Sequence, residues 1–189
     1  AAVPNPLAFW FGSQNVTQAQ DITFGLPASL LPDEDDKRIP FYVTAADFTI
    51  PSPNYQIVGF FVTNLDEIPV YLPGEMLLIK AEAYARGDDL PNAVIELNKV
   101  LTKTAATDVF GLGADLPVYS GPLTKEAILD EIYKNRRVEL YLTGQSLEDT
   151  RRFNRPGATD VNAERNRNYY PYPNSERDNN TNTPNNPTS

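Results

Sequence analysis

The chain has 189 residues, and its 41% hydrophobic and 11% aromatic content is enough for the core of one globular domain. With 25 acidic and 16 basic residues, its formal net charge of -9 repels phosphate backbones, so nucleic acid is not expected as a partner. It has no cysteine or histidine, which excludes disulfides, thiol nucleophiles, ordinary zinc sites and Ser-His-Asp catalysis, and no cofactor is expected.

Residues 1–73 are predicted to be a loop-rich segment with short strands. Nine of the 17 prolines precede Gly74. Proline lacks a backbone donor and biases the residue before it away from helix, so the pattern favours loops. The predicted strands are residues 41–44 and 57–63, and the Pro-Ser-Pro-Asn run at 51–54 supplies the turn between them.

Residues 75–104 are predicted to form a helical hairpin, because a single proline, Pro91, remains there and the apolar spacing becomes helical. The predicted buried stripes are Leu77, Ala81 and Tyr84 in the first helix, and Ala93, Leu97, Val100 and Leu101 in the second. This spacing is typical of a tetratricopeptide repeat, although an ordinary hairpin is the alternative. Since such repeats need about three units to bury a core, we expect the chain alone to be marginally stable or to associate with another polypeptide.

The longest predicted helix spans residues 124–143, with Thr124 as its N-cap and Gly144 as its stop. A shorter helix is predicted at 146–153. Together with the hairpin, these helices make up a predicted helical region at 74–155.

Residues 156–189 are predicted to be a polar, Asn- and Pro-rich C-terminal segment with little regular structure from residue 179 onward. No apolar run approaches the roughly 20 residues that span a bilayer, and the first residues lack the pattern of a signal peptide.

Taken together, the predicted helices and loops indicate a mainly α fold, with tetratricopeptide-like helical hairpins and long, irregular, proline-rich loops.

The segment 135–153 resembles the late motif of the SusD/RagB family. In that family an Arg-rich helix containing Glu-Leu meets a glycine and then an Asp-x-x-Arg-aromatic segment. The matching residues are Arg136, Arg137, Glu139, Leu140, Gly144, Asp149, Arg152 and Phe153. Asn135 and Thr143 depart from the pattern, since the family usually has Glu there, and Ser146 stands where it usually has Arg.

Two more stretches carry the resemblance, in the order and spacing of the family. Residues 75–84 resemble its AEA-containing helix, and residues 170–176 resemble its closing Pro-x-Pro segment. The similarity covers about residue 68 to the end well and the first 65 residues only loosely.

The resemblance implies the SusD-like C-terminal region of a non-enzymatic, nutrient-binding lipoprotein at the surface of a Bacteroidetes-type outer membrane. It also implies a TonB-dependent, SusC-like transporter as partner, over which the protein sits as a lid. Usual ligands are glycans, with peptides in some branches. The lipid anchor and earlier repeats would lie on an N-terminal part, so we expect this chain to be a C-terminal fragment or the second chain of a cleaved protein, with that N-terminal half as a possible separate partner chain.

Aromatic residues of the loop-rich segment are the candidates for ligand contact, because flat rings stack on the C–H faces of sugars. Trp10 is the first choice, followed by Tyr55 and Tyr42. Packing in the core or at an interface is the alternative for each of them. Phe9, Phe11, Phe60 and Phe61 are further aromatic residues of this segment with the same two interpretations.

The charged residues of the late motif are predicted to form a structural ion network that holds the long helix against the segment after Gly144. This set is Arg136, Arg137, Glu139, Asp149 and Arg152, with Arg151 beside it. An anion-binding site is the alternative, because guanidinium groups grip carboxylates and phosphates in bidentate fashion.

Two acidic features suggest chemistry but lack the expected pattern. The run at 33–36 has neither the glycine nor the glutamate spacing of a calcium loop, so a solvated acidic loop is expected. Carboxylate pairs such as Glu131 and Glu139, or Asp33 and Asp47, could hydrolyse glycosides, but nothing in the sequence specifies their separation.

No catalytic residue is predicted. The rivals to nutrient binding are a tetratricopeptide-type scaffold for protein segments and a glycosidase.

Overall fold

The structure, a computed structural model, describes residues 4–11, 17–45 and 55–186. The chain divides into two compact units, Ala1–Tyr141 and Leu142–Ser189. Within the described residues most regular structure is helical, which confirms the predicted mainly α fold. The helices are α1 (Pro6–Phe11), α2 (Arg38–Tyr42), α3 (Pro73–Arg86), α4 (Leu90–Leu101), α5 (Lys125–Glu139), α6 (Ser146–Arg152) and α7 (Asn174–Asn179).

The predicted hairpin forms from α3 and α4, which pack on each other and on α5. Each of the two helices of the hairpin has a proline in its first turn, where the missing backbone N–H costs little stability. The side chain of Asp89 caps α4 by accepting a hydrogen bond from the backbone N–H of Asn92 at 3.3 Å. In α4 the predicted stripe is buried, namely Ala93, Leu97, Val100 and Leu101.

The buried stripe of α3 differs from the predicted one. The structure buries Leu78, Ala81 and Ala85, whereas Leu77 is half-buried and Tyr84 is 36% exposed. Both stripes contain Ala81 and have helical spacing. The burial follows Leu78 and Ala85 because α3 packs against α5 as well as α4, and helical spacing alone does not place the second neighbour.

The predicted strand at 41–44 is half wrong, because α2 runs to Tyr42 and the strand β1 is Val43–Ala45. It pairs antiparallel with β2, Tyr55–Ile57, with Val43 opposite Ile57. The second predicted strand starts earlier and ends earlier than expected, since Gly59 adopts φ +70° and opens a 3-10 turn. The predicted turn at 51–54 lies outside the described residues.

Helix α5 begins after Thr124, whose hydroxyl accepts from the N–H of Ala127 at 3.3 Å, as predicted. It ends at Glu139, four residues before the predicted end. In the second unit, Leu142 and Gly144 have left-handed φ angles of 61° and 88°. Helix α6 matches the prediction closely. Helix α7 ends at Asn179, the first residue of the stretch predicted to be irregular, and no helix or strand is assigned from 180 to 186.

Among the described residues, no helix is both long and apolar enough to cross a membrane.

A buried ion network joins the first unit's loops to α5. The guanidinium of Arg38 is 1% exposed and contacts Asp36 at 2.7 Å, the carboxylate of Glu139 at 3.1 Å and the amide oxygen of Asn135 at 2.7 Å. Burial lowers the pKa of Arg38, but hydrogen bonds and charges from Asp36 and Glu139 outweigh it and raise the pKa overall. The guanidinium therefore stays charged inside the fold.

Glu139 is the centre of this network. It is fully buried, and its second carboxylate oxygen accepts from Lys103 at 2.6 Å, while Lys103 also contacts Asp108 at 2.9 Å. A Cβ at Gly74, at the start of α3, would lie 1.9 Å from the same oxygen. Glu139 therefore holds α2, the start of α3 and the segment after α4 on one helix.

We expect Arg38→Ala to lower the free energy of unfolding by about 3 to 5 kcal/mol, because it leaves Asp36 and Glu139 buried without their shared cation. Urea unfolding followed by circular dichroism measures the loss. The matched control is Lys125→Ala, since Lys125 and Asp88 form an exposed pair that contributes about 0 to 1 kcal/mol. Equal losses in the two variants would contradict the network.

Gly74→Ala tests the close approach of α3 to Glu139. The added methyl group has to displace a buried, hydrogen-bonded carboxylate, so we expect a loss of about 1 to 3 kcal/mol. Gly87→Ala, at the other end of α3, places its Cβ 3.3 Å from a carbonyl oxygen and should change stability by about 0.5 kcal/mol or less. Thermal unfolding of both variants decides, and similar melting temperatures would refute the contact.

The phenol of Tyr42 gives the fold an alkaline limit. Its hydroxyl donates to the carbonyl oxygen of Glu139 at 2.9 Å, and burial, with the charge of Glu139, raises its pKa well above the usual value. A raised pKa in the folded state means that the stability is complete below the unfolded pKa of about 10 and is lost as pH rises above it. Tyr42→Phe should therefore show a shallower fall in stability between about pH 10 and 11.5 than the parent chain. An unchanged slope would contradict this assignment.

Candidate ligand-binding surface

The buried side chain of Asn5, just before helix α1, ties the start of that helix to the protein. Its amide N–H groups donate to the carbonyl oxygens of Phe60 at 2.9 Å and Asp66 at 3.1 Å, and its amide oxygen accepts from the N–H of Leu7 at 2.9 Å. The backbone N–H of Asn5 also donates to Asn64 at 2.8 Å. The start of α1 is therefore bound to the 59–66 segment.

The turn that receives α1 is itself ordered by hydrogen bonds. Both the N–H and the hydroxyl of Thr63 donate to the carboxylate of Asp66 at 2.7 Å. These bonds lower the pKa of Asp66, so its carboxylate stays ionised, and able to accept them, at lower pH than an ordinary aspartate. A short helix on such a support can present side chains in a fixed orientation.

Two aromatic rings on α1 remain exposed. Trp10 is 53% exposed and Phe9 is 63% exposed, and the two rings meet edge to face with centroids 5.5 Å apart. Phe11, the third ring of the helix, instead packs on the buried Phe61 at 5.0 Å. We call the exposed pair, Phe9 and Trp10, the Trp10 surface.

Tyr42 is placed in the core, and its ring is fully buried. It contacts Phe24, Phe60 and Tyr141 edge to face, with centroids 5.6 to 6.4 Å apart. Its ring therefore has no face open to a sugar, which corrects the expectation for this residue. Phe60 and Phe61 are buried as well, so much of the aromatic content of the loop-rich segment builds a core.

Tyr55 opens β2, where it is half-buried opposite Ala45. Its carbonyl oxygen accepts a hydrogen bond from the N–H of Ala19 at 3.2 Å. The backbone thus fixes its position, and part of its side chain stays accessible. Trp10 and Tyr55 remain the candidates for ligand contact.

The charged residues of the late motif fall in both units. Arg136 and Glu139 are buried in the first, where Arg137 also donates to the carbonyl oxygen of Phe24 at 2.7 Å. In the second unit, Arg152 contacts the buried Asp149 at 2.6 Å within α6. A structural role fits Glu139, whereas a link between the two units stays a prediction.

Sequence reasoning missed the partners of Glu139. Asp36 belongs to the run predicted to be a solvated acidic loop; Asp33, Glu34 and Asp35 are exposed, but Asp36 is buried against Arg38. Arg38 and Glu139 are 101 residues apart, which gives no local signal. The only sequence hint is the spacing of Asp36 and Arg38, two residues apart ahead of an apolar run.

The structure places three of the four carboxylates that the sequence offered as hydrolytic pairs. Both oxygens of Glu139 are engaged by cations, so the pair of Glu131 and Glu139 is not available for glycoside hydrolysis, and Asp47 of the other pair lies outside the described residues. Within the described ranges, no three acidic side chains are grouped closely enough to hold a metal ion.

Comparison with known proteins gives one match to a solved structure and one match to a family model. A search of the solved structures finds a SusD superfamily protein from Bacteroides vulgatus at 22% identity, with a TM-score of 0.46, covering 65% of this chain and 30% of that protein. A search of the curated proteins finds no match. The sequence model of the SusD family matches residues 63–188, a stretch that contains the α3–α4 hairpin and the Arg-rich motif. Because that match extends over more than half of the sequence, the chain belongs to the SusD family.

Proposed function

We propose that this chain binds a nutrient ligand, an oligosaccharide or polysaccharide, at the bacterial cell surface and performs no chemistry on it. Family membership supports the class of function, since SusD-family proteins are binding proteins rather than enzymes. They generally work with SusC-like transporters and bind glycans. In this proposal the ligand passes to a TonB-dependent transporter of the outer membrane, where a lipid on an N-terminal part anchors the protein.

The observation that carries the proposal is the exposure of Trp10 on a fixed helix. An indole that is half exposed without a ligand leaves apolar area in water, which stacking on a sugar ring would bury at about 25 cal/mol per Å². Because Asn5 fixes α1, little conformational entropy is lost when the ligand binds.

A scaffold that binds protein or peptide segments is the second candidate, and exposed side chains on the hairpin favour it. Ile79, Tyr84 and Ile95 are 46%, 36% and 53% exposed on α3 and α4. Exposed apolar side chains on helices suit an apolar peptide. A peptide-binding role within the same family belongs with this alternative.

We expect Trp10→Ala to weaken oligosaccharide binding about ten- to a hundredfold, because the variant loses roughly 1 to 3 kcal/mol of apolar contact. Stability should change by less than about 1 kcal/mol, since the ring is already half in water. The full chain is first screened against malto-, xylo- and galacto-oligosaccharides, and the best ligand is then titrated by calorimetry alongside urea unfolding.

The matched control is Tyr84→Ala, which removes an exposed ring from α3 and should leave sugar affinity unchanged. Unchanged affinity in Trp10→Ala with a loss of about 3 to 5 kcal/mol in stability would refute the Trp10 surface. Loss of peptide binding in Tyr84→Ala would instead support the scaffold. Release of reducing sugar from any oligosaccharide in the panel would refute the non-catalytic role.

A further inference from the structure

The second unit contains a feature that the Trp10 surface does not use, an open depression of about 800 Å³ built from residues 151–168. We propose that it is a second ligand site, and that it takes an acidic oligosaccharide through the sugar's carboxylate. The proposal goes beyond the one above, because its residues lie outside α1 and its argument stands on the depression alone.

Most of the residues that line the depression have polar side chains. Its charged lining consists of three arginines and one aspartate, Arg151, Arg155, Arg165 and Asp160, and three asparagine amides lie between them. An apolar ligand would displace water from these polar groups without replacing the lost hydrogen bonds, which is unfavourable. A ligand rich in hydroxyl groups can form those hydrogen bonds. Arg155 is paired with the buried Glu164, so Arg151 is the guanidinium that a ligand meets, and a carboxylate is a group that a guanidinium binds well.

The floor of the depression is held in place before any ligand arrives. Arg155 contacts Glu164 at 2.7 Å, and the two side chains are 18% and 4% exposed. Arg165 donates to the amide oxygen of Asn168 at 2.9 Å and to the carbonyl oxygen of Arg155 at 2.7 Å. A site whose polar groups are already oriented binds with a smaller loss of entropy.

Gly157 allows the backbone to pack closely against the side chains of the floor. Its N–H donates to the carboxylate of Asp160, and a Cβ at this position would lie 3.1 Å from a guanidinium nitrogen of Arg165 and 3.2 Å from the amide oxygen of Asn168. A side chain here would crowd both groups, so the glycine permits the backbone to approach them.

The rim supplies a charge that a ligand can reach. Arg151 is 40% exposed and lies over the ring of Tyr169, 5.2 Å from its centroid, which orients the guanidinium. Its ion pair with Glu148 is 3.0 Å long, but Glu148 is 57% exposed, so the pair is weak and a ligand carboxylate can compete with it. Tyr169 is 51% exposed and offers a face for a sugar ring.

Amide groups beside Arg151 are available to ligand hydroxyls. The side chains of Asn154 and Asn162 line the depression and make no hydrogen bond to another residue that the structure describes. An amide that both donates and accepts suits a hydroxyl, which does the same.

The distribution of charge supports an anionic ligand in this unit. Residues 142–189 have six acidic and six basic residues, and all six basic residues are arginines. Residues 1–141 have 19 acidic and 10 basic residues, so they carry the whole net charge of -9. An acidic sugar therefore meets no net repulsion from the unit that holds the depression.

Trigalacturonic acid and its methyl ester are the probes, because esterification removes the charge of the carboxyl groups and leaves the sugar rings and their hydroxyls unchanged. Each is titrated by calorimetry into the full chain at low salt. We expect the acid to bind at least about tenfold more tightly than the ester, and Arg151→Gln to remove about a tenfold factor for the acid and little for the ester. Tyr169→Ala should weaken both probes, since it removes the stacking face and the support of Arg151.

The matched control is Arg177→Gln, which makes the same charge change at an exposed residue of α7 that does not line the depression. It should bind both probes as the parent does. Equal binding of acid and ester, or equal effects of Arg151→Gln and Arg177→Gln, would overturn the proposal. Should Arg151→Gln lose its circular dichroism signal, Arg151→Lys replaces it, and binding of the acid at parental affinity by that variant would also overturn it, because lysine lacks the bidentate fork.

Trp10→Ala separates this site from the proposed one. The substitution should leave trigalacturonate affinity unchanged if the depression is the site, and a loss equal to that of Arg151→Gln would overturn the assignment to the second unit. Failure of the neutral oligosaccharides to bind at Trp10 would refute the proposed function and leave this result intact.

Discussion

The first unit depends on one buried carboxylate, that of Glu139 at the end of α5. Removing an ion from water costs several kcal/mol, and the cost is recovered only where charges and hydrogen bonds surround it. Arg38 and Lys103 supply them, and they come from α2 and from the segment that follows α4. The requirement to pair this single group therefore fixes where two distant segments of the chain meet α5.

The same end of α5 positions the Trp10 surface through a series of side-chain contacts. Tyr42 donates to the carbonyl oxygen of Glu139 and packs on Phe60, and Asn5 binds the carbonyl oxygen of Phe60 and holds α1. Trp10 lies on α1, the last element in this series of contacts. The loop-rich segment thus gains a fixed shape from buried polar groups and an aromatic core, with little contribution from its short two-stranded sheet.

The two candidate sites use different physics. The Trp10 surface is two exposed rings on a short helix, suited to the apolar face of a sugar, whereas the depression of the second unit is polar and rich in guanidinium groups. Polysaccharides offer both kinds of surface, and a chain that binds one at two points gains in effective concentration. The family match shows the family alone, and the choice of sugar by these residues is what the two proposals put to the test.

The sequence by itself determined the features that depend on local spacing: the α3–α4 hairpin, the capping of α5 by Thr124, the position of α6 and the motif that identifies the family. Helical periodicity and capping act over a few residues, so they can be read from the chain directly. Tertiary structure alone decided the partners of Glu139, because Arg38 is 101 residues away. It also decided which rings face water, since Tyr42 and Trp10 both lie in proline-rich sequence, yet Tyr42 is buried and Trp10 is exposed. Burial is set by neighbours distant along the chain, and local spacing carries no information about those neighbours.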